Sequence, residues 1–485
     1  MKRPERFSWR WPVESHAKLP RTIGELKENG YQILPVKEEL ERNLIRAMEA
    51  GEELFPGVQG YENTVLPQIV NAILSHHDII LLGEKGQAKT RIMRSLTRFL
   101  DERIPAISGC EINDNPYNPI CRACKHKVAE HGDIVELNWI HRDMRYGERL
   151  SPGTKIADLI GDLDPSKVAE GAALSSEAAL HFGLIPRMNR GIFAINELPD
   201  LEYLIQVSLF NILEERDIQI RGYPIRFPLD VLLVFSANPE DYSRPGKIIS
   251  QLKDRIGSEI RTHYPLSRET GVAIMEQESK MDVGEGYELA CPGFVKEIVE
   301  QITIEARNSP YVNHRSGVSA RLSIANYEIV VANARRRAIT LGEKIITPRI
   351  SDLGYLYTSS SGKIELDPFR EDSLSQEDAL GRIIESAILK VFNEKFDKES
   401  LAGMTPDFGA KNGAVEVGDM TPSAHYREVI SKFPQLWEPA HTLGADQNDP
   451  MRASCVEFIL EGLTLNGKIS RKKIGEMTTY RNQPQ

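Results

Sequence analysis

Apolar and polar positions divide the chain into two regimes. Between about residues 66 and 238, short apolar runs alternate with stretches of helical period. The runs 79–82, 191–197 and 230–238 are of strand length and end in polar residues, Asn196-Glu197 in the second and Asn238 in the third. Runs this short without alternation predict strands buried on both faces. Residues 66–74 and the segment after Lys89 carry the helical period, with Ile92, Leu96, Phe99 and Leu100 on one face. Residues 201–215 place Leu201, Leu204, Ile205, Leu209 and Ile212 on one stripe, 133–138 is a further strand candidate, and 217–227 alternates around Gly222 as a hairpin. Strands alternating with helices predict an α/β fold with a mostly parallel sheet covered on both faces.

From about residue 266 the period turns helical, over 268–278, 294–307, 320–341 and 379–392, with a last helix carrying Cys455, Phe458, Ile459 and Leu463. Residues 404–422, rich in Gly, Thr and Asp, read as a loop, and the basic segment 467–473 as a solvated face. At the other end, residues 1–30 show no period and read as an arm; 37–53 reads as a helix.

Composition narrows the functional classes. The chain has 485 residues, 27% charged and 41% hydrophobic, as in ordinary globular proteins. No apolar run approaches the roughly 20 residues a membrane span needs, and the first residues lack the apolar centre of a signal peptide, so a cytoplasmic protein is expected. A net charge of -10 gives no field favouring nucleic acid. The odd number of cysteines, 5, does not suggest a disulfide framework.

The candidate chemistry starts at Gly83-Glu84-Lys85-Gly86-Gln87-Ala88-Lys89-Thr90, between a predicted strand and a predicted helix. This is the P-loop pattern with Ala88 in place of the second glycine. Such a loop turns backbone N–H groups toward phosphate oxygens; Lys89 is placed for the β- and γ-phosphates and the Thr90 hydroxyl for Mg²⁺. Glu197, at the polar end of a buried run, suits polarising an attacking water, and Asn238 suits a hydrogen bond to that water or to the γ-phosphate, though Asn-Pro is also a turn signal. Cys110, Cys121 and Cys124 have chelating spacing, and zinc wants four N or S ligands. A fourth could come from Asp114, His126 or His131; three reduced thiols without metal are the alternative.

Residues 50 to 340 resemble the AAA+ ATPase core, in particular the branch of the magnesium-chelatase ATPase subunit and the MoxR-type ATPases. The resemblance rests on the loop 83–90, where that branch usually has alanine before the lysine, and on 160–171, similar to its insert in the second helix. It rests also on 186–191 running into the Walker B strand, on 225–228 before the sensor-1 strand ending Asn238-Pro239-Glu240, on 251–257 as an arginine-finger segment, and on 317–322 as sensor 2. It implies Mg-ATP bound between subunits of a ring, a hexamer, with Arg255 reaching a neighbour's site and Arg321 opening the lid near the γ-phosphate. It implies an N-terminal extension over 1–49, an α/β core over 50–265 with a cysteine insertion at 108–132, a helical lid over 266–365 and a C-terminal helical extension over 366–485. Relatives commonly work with a von Willebrand factor A-domain partner, which implies remodelling of a client. One departure stands out: the family's Walker B ends Asp-Glu, and here it is Asn196-Glu197. Asparagine keeps an oxygen near Mg²⁺ but loses the charge, so reduced hydrolysis is expected. A nucleotide-gated scaffold that binds ATP with little turnover is the alternative, and a DNA-acting motor a weaker one. Asn196→Asp is expected to tighten Mg²⁺ binding.

Overall fold

The computed structural model describes residues 19–149, 153, 155–164, 166, 169, 177–220, 226–313, 317–366, 375–409, 413–474 and 477–483. Residues 1–18 of the expected arm, part of the expected insert at 160–171 and the middle of the expected hairpin at 221–225 lie outside them; the rest of the arm is not without structure but carries the helix Ile23–Glu28, capped by Thr22, with Ile23 and Leu26 buried. The chain forms two compact units. The first runs up to Pro56 and through Val65–Leu82 and Thr90–Ile260; the second comprises Gly57–Thr64, Gly83–Lys89 and the chain from Arg261 onward.

The first unit is built on a five-stranded sheet. Its strands are β1 (Ile79–Leu82), β2 (Tyr146–Arg149), β3 (Gly191–Ile195), β4 (Val231–Ala237) and β5 (Ser258–Arg261), in the order β5-β1-β4-β3-β2. β1 pairs parallel to β4 with Leu82 opposite Ala237, β4 parallel to β3 with Phe235 opposite Ile195, and β3 parallel to β2 with Ala194 opposite Glu148. Every residue of β1, β3 and β4 is buried, which is why these strands read as unbroken apolar runs. The carboxylate of Asp78, at the entry to β1, accepts from the Leu233 N–H and the Lys37 ammonium, each at 2.9 Å, and from Arg216. Burial lowers the Lys37 pKa, and Asp78 opposes that shift.

Three expectations for this unit change. The candidate at 133–138 becomes the strand Leu137–His141, which pairs antiparallel with Arg103–Ile107 outside the main sheet. The sheet's outer strand is instead β2, whose Tyr-Gly-Glu-Arg sequence carries no apolar run because it is an edge. On the helix Tyr203–Glu215 the buried stripe is Ile205, Leu209, Ile212 and Leu213, while Leu204 is 61% exposed. The stripe is centred one position later than expected, so Leu204 falls on its flank. The hairpin arms pair as expected, Asp217–Gln219 with Arg226–Pro228.

In the second unit the helices Arg268–Glu278, Gly293–Asn308, Arg321–Leu341, Gln376–Lys395 and Asp449–Leu465 share one apolar core extending from Met275 to Tyr480. Phe294 stacks on Phe458 at 4.4 Å, and Phe392 meets Phe458 edge-on at 5.5 Å. Gly462 makes this possible, since a Cβ there would lie 2.1 Å from the Phe392 ring. The C-terminal region is not all helical. The segment expected as a loop contains the strand Val415–Gly418, and the basic segment becomes the strand Ile469–Ile474; both flank Met477–Asn482 in an antiparallel sheet. Its Lys472 and Lys473 are exposed, as expected of a solvated face, whereas Arg471 pairs with the buried Glu461 and with Glu385. Among the described residues no helix is long and apolar enough to cross a membrane.

Candidate functional site

The chain leaves β1 at Leu82, turns through 83–88 and enters the helix α1 (Lys89–Ser95), prolonged by a 3₁₀ turn over Leu96–Phe99. Ile92, Leu96, Phe99 and Leu100 are buried, as their spacing predicts. The loop's own residues set its shape. Gly86 has φ +79° and leaves no room for a side chain, because a Cβ would lie 2.0 Å from Ser319 Oγ. Ala88 holds φ +55°, a conformation that suits glycine. The buried Gln87 side-chain oxygen accepts from the Glu84 N–H at 3.1 Å and the Thr262 hydroxyl at 2.7 Å. The Tyr61 hydroxyl donates to the Gln87 carbonyl at 3.0 Å, and the Tyr264 hydroxyl to the Lys85 carbonyl at 3.2 Å. The Lys89 ammonium folds back on the loop, onto the carbonyls of Gly83 and, at 2.9 Å, Glu84.

Because β2, β3 and β4 are successive parallel strands, their carboxyl ends lie side by side, and polar residues there form a connected set. The Ser236 hydroxyl on β4 donates to Asn196 Oδ1 at 3.0 Å and accepts from the Glu197 N–H at 3.3 Å. Asn196 Nδ2 donates to Glu148 Oε1 on β2 at 2.8 Å. Glu148 Oε2 accepts from Arg94 Nε at 2.7 Å and the Tyr146 hydroxyl at 3.2 Å. Burial and the Glu148 charge push the Tyr146 phenol up; its hydrogen bond to Glu148 raises the Arg94 pKa. Glu197 has φ 52°, ψ 56°, the left-handed region, where the chain turns from β3 into a 3₁₀ turn. For a residue with a Cβ this costs about 1–2 kcal/mol, and such strain clusters at functional positions.

The structure brings Asn196 and Glu197 together with two residues the sequence reading did not single out, Ser236 and Glu148. Ser236 is hidden within an apolar run, and Glu148 lies on the unforeseen edge strand. Asn238 follows β4 and caps the short helix Pro239–Ser243, its Oδ1 accepting from the Glu240 N–H at 3.3 Å. Arg255 ends the helix Ser250–Arg255 and pairs with Glu214 and, at 3.4 Å, Asp254. Arg321 opens the helix Arg321–Leu341, exposed, with its N–H on Ser319 Oγ at 3.1 Å.

The cysteine insertion forms a second cluster. One ligand atom from each of Cys110, Asp114, Cys121 and Cys124 lies within 4.8 Å of the others. The Asp114 oxygens accept from the Ile120 N–H at 3.1 Å and the Cys121 N–H at 3.0 Å. Hydrogen bonds from the Cys121 and Cys124 thiols lower the Cys110 pKa to about 3, and the same bonds push the other two thiols up. Burial raises Asp114. His126 lies outside the cluster; its side chain is 66% exposed beside Glu130. It follows Cys124 by two residues on the helix Arg122–His131, so with Cys124 turned inward it points away.

No family model matches the chain. Among solved structures, it overlaps a chain of the complex between subunits BchI and BchD of magnesium chelatase at 20% identity and TM-score 0.32, covering 70% of this chain and 98% of that one. NtrX from Brucella abortus in complex with ADP overlaps at 13% identity and TM-score 0.35, covering 84% and 72%. A Thermotoga maritima RuvB mutant overlaps at 13% identity and TM-score 0.30, covering 96% of each chain.

Proposed function

We propose that this chain binds Mg-ATP through Gly83–Thr90 and hydrolyses it, as an AAA+ ATPase of the kind its motifs resemble. Glu197 carries the reading: it is a carboxylate in strained backbone at the end of a buried strand, on the same sheet edge as the strand end from which the loop departs and one strand removed from it. In this reading Glu197 takes a proton from water as the water oxygen attacks the γ-phosphorus, and the bond to the ADP oxygen breaks. Lys89 exchanges the Gly83 and Glu84 carbonyls for phosphate oxygens. Thr90 and Asn196 both offer oxygen donors, which suit Mg²⁺. Mg²⁺ neutralises phosphate charge when bound. Asn238 contributes at the γ-phosphate. Arg255, exchanging Glu214 for a neighbour's nucleotide, acts between subunits of a ring, a hexamer, that remodels a partner carrying a von Willebrand factor A domain.

The test is fluorescent-nucleotide titration together with turnover, for wild type, Lys89→Ala and Glu197→Gln. Lys89→Ala should weaken ATP binding on the order of 10- to 100-fold, the loss of one charged hydrogen bond. Glu197→Gln should keep binding and lose turnover by roughly 10²- to 10⁴-fold. Unchanged affinity in Lys89→Ala sinks the loop assignment. The scaffold reading is favoured by the neutral Asn196, whose amide is bonded to Ser236 and Glu148; ATP binding without turnover, in the assembled state with its partner, would establish it.

The cluster of Cys110, Asp114, Cys121 and Cys124 is proposed to hold zinc. Three sulfurs and one carboxylate within 4.8 Å suit a closed tetrahedral site, with Asp114, of the three candidates Asp114, His126 and His131, as the fourth ligand.

A further inference from the structure

Position 196 is neutral, yet a carboxylate lies one hydrogen bond away. Register sets this up. Glu148 sits opposite Ala194, two residues before Asn196, and its Oε1 receives the Asn196 amide at 2.8 Å. The Glu148 side chain is only 9% exposed. Its other oxygen is held by Arg94, which follows Thr90 by four residues on α1 and so shares its face of the helix. Glu148 is thereby tied from one side to the residue expected beside Mg²⁺ and from the other to a helix turn that carries the second metal-site residue. The Arg94 side chain is 60% exposed while that of Glu148 is 9% exposed, so the ion pair is screened by solvent on the arginine side only and offsets part of the carboxylate's charge. The Glu148 oxygen facing Asn196 is not the one that Arg94 holds.

We propose that Glu148 supplies the negative charge that residue 196 lacks, so that Mg²⁺ accompanying the nucleotide is recognised by the Asn196–Glu148 pair as a unit. The inference rests on the nucleotide-binding reading above. Asparagine is required at 196 because of Glu148. Its amide N–H both satisfies the carboxylate and orients it, whereas aspartate would set two carboxylate oxygens against each other across a 2.8 Å contact. The expectation that Asn196→Asp tightens Mg²⁺ binding therefore reverses. Aspartate helps only if the charge at 148 is removed with it. The amide introduced by Glu148→Gln can then donate to the new carboxylate, and the pair is rebuilt with its polarity exchanged.

The test is a Mg²⁺ titration of fluorescent ATP-analogue binding to the full chain, which needs no turnover, with binding in EDTA as reference. Four proteins are compared: wild type, E148Q, N196D and N196D/E148Q. E148Q should raise the Mg²⁺ midpoint roughly 10- to 100-fold while leaving binding in EDTA unchanged, the scale seen when a group supporting a metal site is lost. N196D alone should not lower the midpoint. The double substitution should return it to within about threefold of wild type, a coupling expected only for residues in contact. A merely structural role for Glu148 would not be rescued by moving the charge. A midpoint in E148Q matching wild type overturns the inference while leaving nucleotide binding intact. If E148Q does not fold, N196D decides, and a tighter Mg²⁺ midpoint in that variant overturns the inference. Absence of nucleotide binding by wild type, with and without Mg²⁺, overturns the nucleotide reading and this inference with it.

Discussion

Replacing Ala88 by glycine should stabilise the protein, although it deletes a methyl group. Ala88 sits at φ +55°, immediately before the helix that begins at Lys89. A residue with a Cβ pays about 1–2 kcal/mol in that region. Glycine avoids that strain but loses more backbone freedom on folding, about 0.5–1 kcal/mol relative to alanine. The difference favours Ala88→Gly by about 0.5–1 kcal/mol. For a unit of this size, that is a rise of about 1–4 °C in melting temperature. Ala88→Val is the counterpart: a β-branched residue is a worse fit to left-handed backbone and should lower the melting temperature. Calorimetric melting of the three proteins without nucleotide is the assay. If Ala88→Gly melts at or below wild type and Ala88→Val melts with it, the loop does not hold its left-handed turn at residue 88. The reasoning would then be refuted.

Two further outcomes test the wider reading. Arg255→Ala should preserve nucleotide binding and lower turnover, and mixing it with Glu197→Gln should recover activity above either variant alone if the arginine acts between subunits; no recovery in demonstrably mixed rings removes that role. Protein purified without chelator should carry about one zinc per chain, lost in Cys121→Ser and Cys124→Ser, weakened in Asp114→Ala and untouched in His126→Ala; substoichiometric zinc insensitive to the cysteine changes would mean three thiols and no metal.

What was legible in the sequence follows burial. β1, β3 and β4 are covered on both faces, so their apolar runs announce them almost to the residue, as do the long helices around the second core. β2 was invisible because an edge strand of four residues needs no apolar run, and with it went Glu148, whose place beside Asn196 is set by strand register rather than by local sequence. Asn196 itself was legible as an anomaly but not as half of a pair. In the cysteine insertion, spacing identified the three thiols. The choice of Asp114 over His126 depended on which way one helix turn faces, and that is fixed by the burial of Cys124. The strands at Val415–Gly418 and Ile469–Ile474 were masked by glycine, threonine and lysine, residues that usually mark turns and surfaces.

The C-terminal antiparallel sheet has a bearing on biosynthesis. Its middle strand is the last of the three in sequence, Met477–Asn482, and the two outer strands have no partner until it arrives. Tyr480 on that strand closes over the core and donates its hydroxyl to the buried Glu461 at 2.9 Å. As the chain emerges from the ribosome, the helices of the second unit are complete while this side of their core is still uncovered. At roughly 5–20 residues per second, Val415–Gly418 waits several seconds for its neighbour. Closure of this side of the unit therefore comes after its helices have been synthesised, and until then the apolar surface that Tyr480 covers stays open to solvent.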